Sequence, residues 1–186
     1  LSPSGNVAKV RGIMSNVLSI LLRAGWHPFA YNYWRDGQGY AWIITSDMAS
    51  PDLVASELIK AFFKIDCQRA SSHYNGKGMD QGVDFNTTMV VLRSEQHSYS
   101  YKCALETIIS GATWPAQRIH SIKPEIQPNC TRCMIGVDDA LHTFWTCPCN
   151  AAIEDPAVQD TQGLVAAAQM RAGDDPCLWL RGILPT

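Results

Sequence analysis

Between Cys130 and Cys147 the chain reads C-x2-C-x8-H-x4-C, and no other stretch constrains its fold as tightly. Two cysteines separated by two residues can bring both thiolates to one ion through a tight turn, and Zn²⁺ favours four tetrahedral ligands drawn from thiolates and imidazoles. Gly136 loosens the backbone just after that turn. Asp138 or Asp139 then caps a short helix with His142 in its first turns, and Cys147 falls at its end, where Pro148 forbids continuation. The spacing predicts one Zn²⁺ held by Cys130, Cys133, His142 and Cys147, with Cys149 as a competing thiolate for the fourth position. Catalytic zinc usually keeps a place for water, whereas four side chains close this one, so the expected ion is structural. A zinc-dependent nucleobase deaminase needs H-x-E and then P-C-x-x-C. Here Pro128 stands one residue too early and His120 has no glutamate two places on, which rejects that class.

Four of the seven cysteines crowd into residues 130–149, a density that suits a metal in a reducing compartment better than a disulfide framework. The 186 residues allow one domain with a real core, or a core with a small metal-stapled appendage. The chain starts with Leu rather than Met and has no initial signal-like apolar run, so an excerpt of a longer protein is expected. No apolar run reaches membrane-spanning length, and a soluble protein of the nucleus or cytoplasm, without a membrane partner, is the expectation. Net charge is −2, which advertises no general affinity for nucleic acid. The distribution is uneven: Lys and Arg number 13 against 10 Asp and Glu over residues 1–132, and 2 against 7 over 133–186, or +3 and −5.

Hydrophobic periodicity supplies the rest of the plan. Val7, Val10, Met14, Val17, Leu18 and Leu21 recur at helical spacing before Gly25, a natural stop. Phe29, Tyr31 and Tyr33 alternate toward Asp36-Gly37, and Tyr40, Trp42 and Ile44 alternate after it, predicting a hairpin. Ser50, Pro51 and Asp52 open a helix whose inner face is Val54, Leu58, Ala61, Phe62 and Ile65. The glycine-bearing stretch 73–82 lacks a phosphate-cradling order and is expected to be a connector. Residues 84–93 suit a capped helix or a strand, with helix favoured. A helix through Ala104, Leu105, Ile108 and Ile109, a short turn after Trp114-Pro115, and a last helix from Asp155-Pro156 through Met170 complete the pattern. The expected class is α+β: mainly helical, with one N-terminal β-hairpin and a small zinc-stapled helical module. Its expected divisions are 1–98, 99–150 and an acidic helical tail, 151–186.

The run from Ala104-Leu105-Glu106-Thr107-Ile108-Ile109-Ser110-Gly111 through Arg118-Ile119 to Cys130-Thr-Arg-Cys133 and Asp139-Ala-Leu-His142-Thr-Phe-Trp145-Thr-Cys147-Pro148 resembles the zinc-binding region that follows the polymerase in non-LTR retrotransposon reverse transcriptases. It covers about residues 100–150. A glycine often sits directly after the second cysteine in that family, where this chain has Met134 and Ile135. The resemblance implies an accessory part of an RNA-directed DNA polymerase, with the polymerase itself upstream in the same polyprotein. No catalytic residue is expected in the chain. Val137-Asp138-Asp139 copies only the acidic pair of a polymerase palm, lacks its aromatic, and lies between metal ligands, where a helix cap explains it better. The implied partner is RNA or DNA, held weakly through phosphates. Lys102, Arg118, Lys123 and Arg132 are the candidate contacts, opposed only by Glu106 and Glu125, with an ordinary solvated face as the alternative. Phe144 and Trp145 suit either base stacking or packing of a small core, packing being favoured. The competing function is a purely structural zinc staple or protein-docking module.

Overall fold

The computed structural model describes residues 12–45 and 50–186, arranged as two compact units, a first ending at Asp66 and a second running Cys67–Thr186. The architecture is α+β and mainly helical, with a small antiparallel sheet in the first unit. The division falls at 66/67, inside a helix, and leaves 67–98, the cysteine-rich stretch and the acidic tail within one unit.

In the first unit, helix α1 (Ile13–Arg23) stops where the sequence suggests. Gly25 takes φ +78°, its N–H donates to Leu22 O, and Trp26 N–H reaches back to Leu21 O at 2.9 Å. This is a Schellman stop, and its usual apolar clasp is present because Leu21 and Trp26 share one core. Val7 and Val10 lie outside the described residues. Strands β1 (His27–Pro28), β2 (Tyr33–Arg35) and β3 (Ala41–Ile43) pair in that order, all antiparallel. Pro28, on an edge strand, has no ladder N–H to lose.

The predicted strand over Phe29–Tyr33 is instead mostly a tight turn, with Phe29 N–H bonded to Tyr33 O at 2.8 Å and Tyr31 left 94 % exposed. Alternation there reflects aromatics splayed on a loop. The second turn is built on Asp36, whose carboxylate accepts N–H groups from Gln38 and Tyr40 and the indole N–H of Trp42, each at 2.9 Å. Burial works against its charge, but the bond from Trp42 and those from the backbone outweigh it and hold its carboxyl below the usual carboxylate range. Trp26 stacks on Trp42 at 5.2 Å, and Val54, Leu58, Ala61 and Phe62 of helix α2 (Pro51–Ser71) complete the core. These are four of the five residues the sequence assigns to that face of α2; Ile65 is not part of this core.

In the second unit, Asp84 caps helix α3 (Phe85–Arg93) through Thr87 N–H, which resolves the ambiguous stretch as helix. Helix α4 (Tyr99–Ile109), capped by Ser98, and helix α5 (Ala116–His120) come next. The expected last helix is broken into α6 (Pro156–Thr161), a 3₁₀ turn (Gln162–Leu164) around Gly163, and α7 (Val165–Arg171). A further helix, α8 (Pro176–Arg181), carries no long periodic signature in the sequence.

The tail is tied to the rest of its unit. Leu184 O accepts Asp84 N–H at 2.8 Å, and Met79, Cys177 and Ile183 form a small core with Ala70, Val83 and Ile109. The expected connector at 73–82 is therefore a packed loop. Arg181, 5 % exposed, donates through Nε to Ile109 O at 2.8 Å, so a buried guanidinium meets the carbonyl end of α4. Among the described residues no helix is long and apolar enough to cross a membrane.

Candidate metal centre

The site begins as a tight loop closed by an antiparallel bridge between Asn129 and Val137, with Cys130 N–H bonded to Gly136 O and Asp138 N–H to Pro128 O, both at 2.8 Å. Inside it, Met134 N–H returns to Cys130 O at 2.9 Å, and Met134 adopts φ +60° to allow this. A β-carbon resists that left-handed conformation by about 1–2 kcal/mol. The loop turns several backbone N–H groups onto sulfur. Those of Cys133 and then Arg132 pull the Cys130 thiol down to about 6 against its burial, and those of Ile135 and Gly136 lower Cys133.

The second pair of donors comes from a helical turn. Asp139 accepts His142 N–H through its carboxylate at 2.6 Å and Thr143 N–H through its carbonyl at 2.8 Å, so Asp139 is the cap. The turn then widens into a π-helix, His142–Thr146, in which Cys147 N–H reaches His142 O at 2.9 Å. Five residues along an α-helix would send His142 and Cys147 about 140° apart. An i→i+5 turn returns them near one face.

The four donors converge. Their ligand atoms all lie within 4.8 Å of one another, with Cys130 Sγ 3.9 Å from Cys147 Sγ and Cys133 Sγ 3.3 Å from His142 Nε2. Cys130, Cys147 and His142 are 1 %, 2 % and 9 % exposed, which leaves little room for a water to enter as a further ligand. Burial pushes the Cys147 thiol up to about 11 despite the N–H of Cys149. For His142 burial favours the neutral ring, but hydrogen bonds to Cys130 and Cys133 outweigh it and raise its pKa. Cys149 stands outside the cluster and contributes its N–H to Cys147. Such a cluster of three thiols and one imidazole can hold a metal ion.

Gly136 serves the site differently from the expectation of a loosened backbone. A β-carbon there would lie 2.9 Å from Cε1 and 3.0 Å from Nδ1 of His142, so the imidazole rests directly on the glycine backbone. Asp138 is a second brace. Its carboxylate accepts Ala116 N–H at 2.9 Å and the Thr143 hydroxyl at 2.7 Å, while its carbonyl accepts Gln117 N–H at 3.0 Å. It thereby caps α5 from a distance, and both members of the acidic pair are engaged in holding backbone.

The four basic candidates have different surroundings. Arg132 ties the metal loop to the π-helical turn and to the 3₁₀ turn Pro148–Ala152, donating to Asn150 Oδ1 at 2.8 Å and Thr143 O at 2.9 Å. Arg118 donates to Gly111 O at 2.8 Å and Thr113 O at 2.7 Å, with its guanidinium between the rings of Tyr74 and Trp114 at 4.0 and 4.1 Å. Lys102 is half-buried on α4, and Lys123 is exposed just past α5. Trp145 packs edge-on to Trp179, ring centroids 5.5 Å apart, and donates its indole N–H to Trp179 O at 2.6 Å. That tether and the Arg181 contact escaped sequence reasoning. No family model, curated protein or solved structure matches this chain.

Proposed function

We propose that the cluster binds one structural Zn²⁺ and that the chain is a non-catalytic, zinc-stapled accessory region of a non-LTR retrotransposon reverse transcriptase. The observation that carries the zinc assignment is the donor set with its spacing. Bond lengths of about 2.3 Å to sulfur and about 2.0 Å to nitrogen give tetrahedral edges of about 3.8 Å between sulfurs and about 3.5 Å between sulfur and nitrogen. The 3.9 Å and 3.3 Å separations sit close to those edges, and since all the donors lie within 4.8 Å of one another, closing onto an ion needs contraction by no more than about 1 Å. Three thiolates against Zn²⁺ leave a net charge of −1, a poor Lewis acid in a closed shell, so the ion's role is architectural. Inward N–H groups on the sulfurs offset that charge.

The reverse transcriptase reading rests on the motif and on one further feature. Position 134, where those enzymes often carry glycine, is left-handed in this chain. The polymerase would be supplied by the same polyprotein, upstream.

Contact with RNA or DNA is the second reading, favoured by Lys102 and Lys123, whose ammonium groups have no hydrogen-bond or ion-pair partner among the described residues. Arg118 and Arg132 serve it less, since both guanidinium groups hold backbone carbonyls. Elemental analysis of the purified chain tests the first reading: one zinc per chain, lost on Ser substitution of Cys130, Cys133 or Cys147 and kept in Cys149→Ser. Metal lost in Cys149→Ser but not in Cys147→Ser would overturn the ligand set. Retention on RNA that falls with salt, and falls further in Lys102→Glu/Lys123→Glu with zinc unchanged, is the outcome expected of nucleic-acid contact. No retention at low salt leaves the structural staple alone.

A further inference from the structure

Beside the metal centre, and not sharing its ligands, lies an open pocket of about 280 Å³ walled by Trp114, Pro115, Ala140 and Phe144, with Thr113, Asp138 and Thr143 as its polar residues. Its walls are aromatic and aliphatic, and no lysine, arginine or histidine lines it. The one charged group, Asp138, accepts bonds from a backbone N–H and a hydroxyl but has no cation within ion-pair distance among the described residues. Arg118, stacked on Trp114, directs its guanidinium to the carbonyls of Gly111 and Thr113 instead. Trp114 is still 51 % exposed.

We propose that this pocket docks a basic side chain, lysine or arginine, presented by a protein partner. A half-buried carboxylate has lone pairs left after two hydrogen bonds, so it can accept from an ammonium or guanidinium. The flanking rings attract a cation through their electron-rich faces and cover its methylene stem. Trp114 already holds one guanidinium in this way. A carboxylate at the same place opposes a phosphate, which sets this pocket apart from a nucleotide site. The proposal does not depend on which ion the cysteines bind.

The test is NMR titration of the zinc-loaded chain with acetyl-Gly-Lys-Gly-amide, acetyl-Gly-Arg-Gly-amide, the norleucine analogue and uridine monophosphate. Saturable shifts of the Trp114 indole N–H and Phe144 ring signals with the two basic peptides, absent with norleucine, are expected. Asp138→Asn, and separately Phe144→Leu, should weaken that binding by about threefold to tenfold, with zinc content unchanged in Phe144→Leu. Phe144→Leu guards against the chance that Asp138→Asn unfolds the module. Equal shifts with norleucine, preferential shifts with the nucleotide, or none with any probe would each overturn the proposal.

Discussion

Replacing Met134 by glycine should make the metal site better. The methionine side chain is 74 % exposed, so little packing is lost. Its φ of +60° carries a left-handed penalty of about 1–2 kcal/mol, whereas glycine adopts it freely at an entropic cost of about 0.5–1 kcal/mol. The balance favours the variant by about 0.5–1 kcal/mol. Met134 N–H, which bonds Cys130 O, is untouched. The gain falls on the conformation that binds metal, so zinc affinity should rise roughly twofold to fivefold and the melting temperature by about 2–4 °C. Competition against a chromophoric chelator, with a thermal melt alongside, measures both. Met134→Ala is the control, since it removes the side chain and keeps the β-carbon; it should show no gain. Glycine no better than alanine would refute the strain argument.

Gly136→Ala should act in the opposite sense: the added methyl meets the His142 ring at 2.9 Å, and zinc affinity should fall about tenfold, with unchanged affinity counting against ring support by the glycine backbone. Metal affinity should also fall as pH falls, because protons compete for the thiolates. With Cys147 pushed up to about 11, its proton must be displaced at neutral pH, and the raised His142 adds to the protons that metal displaces; calorimetry in buffers of different ionisation enthalpy should detect their release. In the first unit, Asp36→Asn should destabilise by about 1–3 kcal/mol at neutral pH. Its carboxyl is depressed on folding, so its contribution is full above the unfolded value of 3.8 and is lost as pH falls through the lower folded value. A wild-type and variant difference that grows on acidification would contradict this.

The convergence of Cys130, Cys133, His142 and Cys147 was legible in the sequence because a metal-binding motif sets chemistry and spacing together over eighteen residues. Helix starts at Pro51 and Asp155 were legible for a similar reason, since first-turn proline and capping signals act within one turn, whereas 84–93 also suited a strand until the Asp84 cap decided it. Alternation of Phe29, Tyr31 and Tyr33 misled because β-favouring aromatics also sit on turns, and only burial separates the cases. What bound the tail to the module was not encoded locally at all. Trp145 and Trp179 lie 34 positions apart, and Arg181 and Ile109 lie 72 apart, so neither contact leaves a periodic trace. The left-handed φ at Met134 was hidden because a residue other than glycine carries it.

The Trp145–Trp179 contact bears on how portable the cysteine motif is. A short segment ending near Asn150 would contain every donor atom and look like a self-sufficient minidomain. Yet it would present one face of the Trp145 indole to water and leave its N–H without the carbonyl of Trp179. Such a peptide should still take up metal, but as a soft, self-associating species. Transplanting the motif into another scaffold would thus need residues through Arg181, together with an α4-like helix end for that guanidinium to cap.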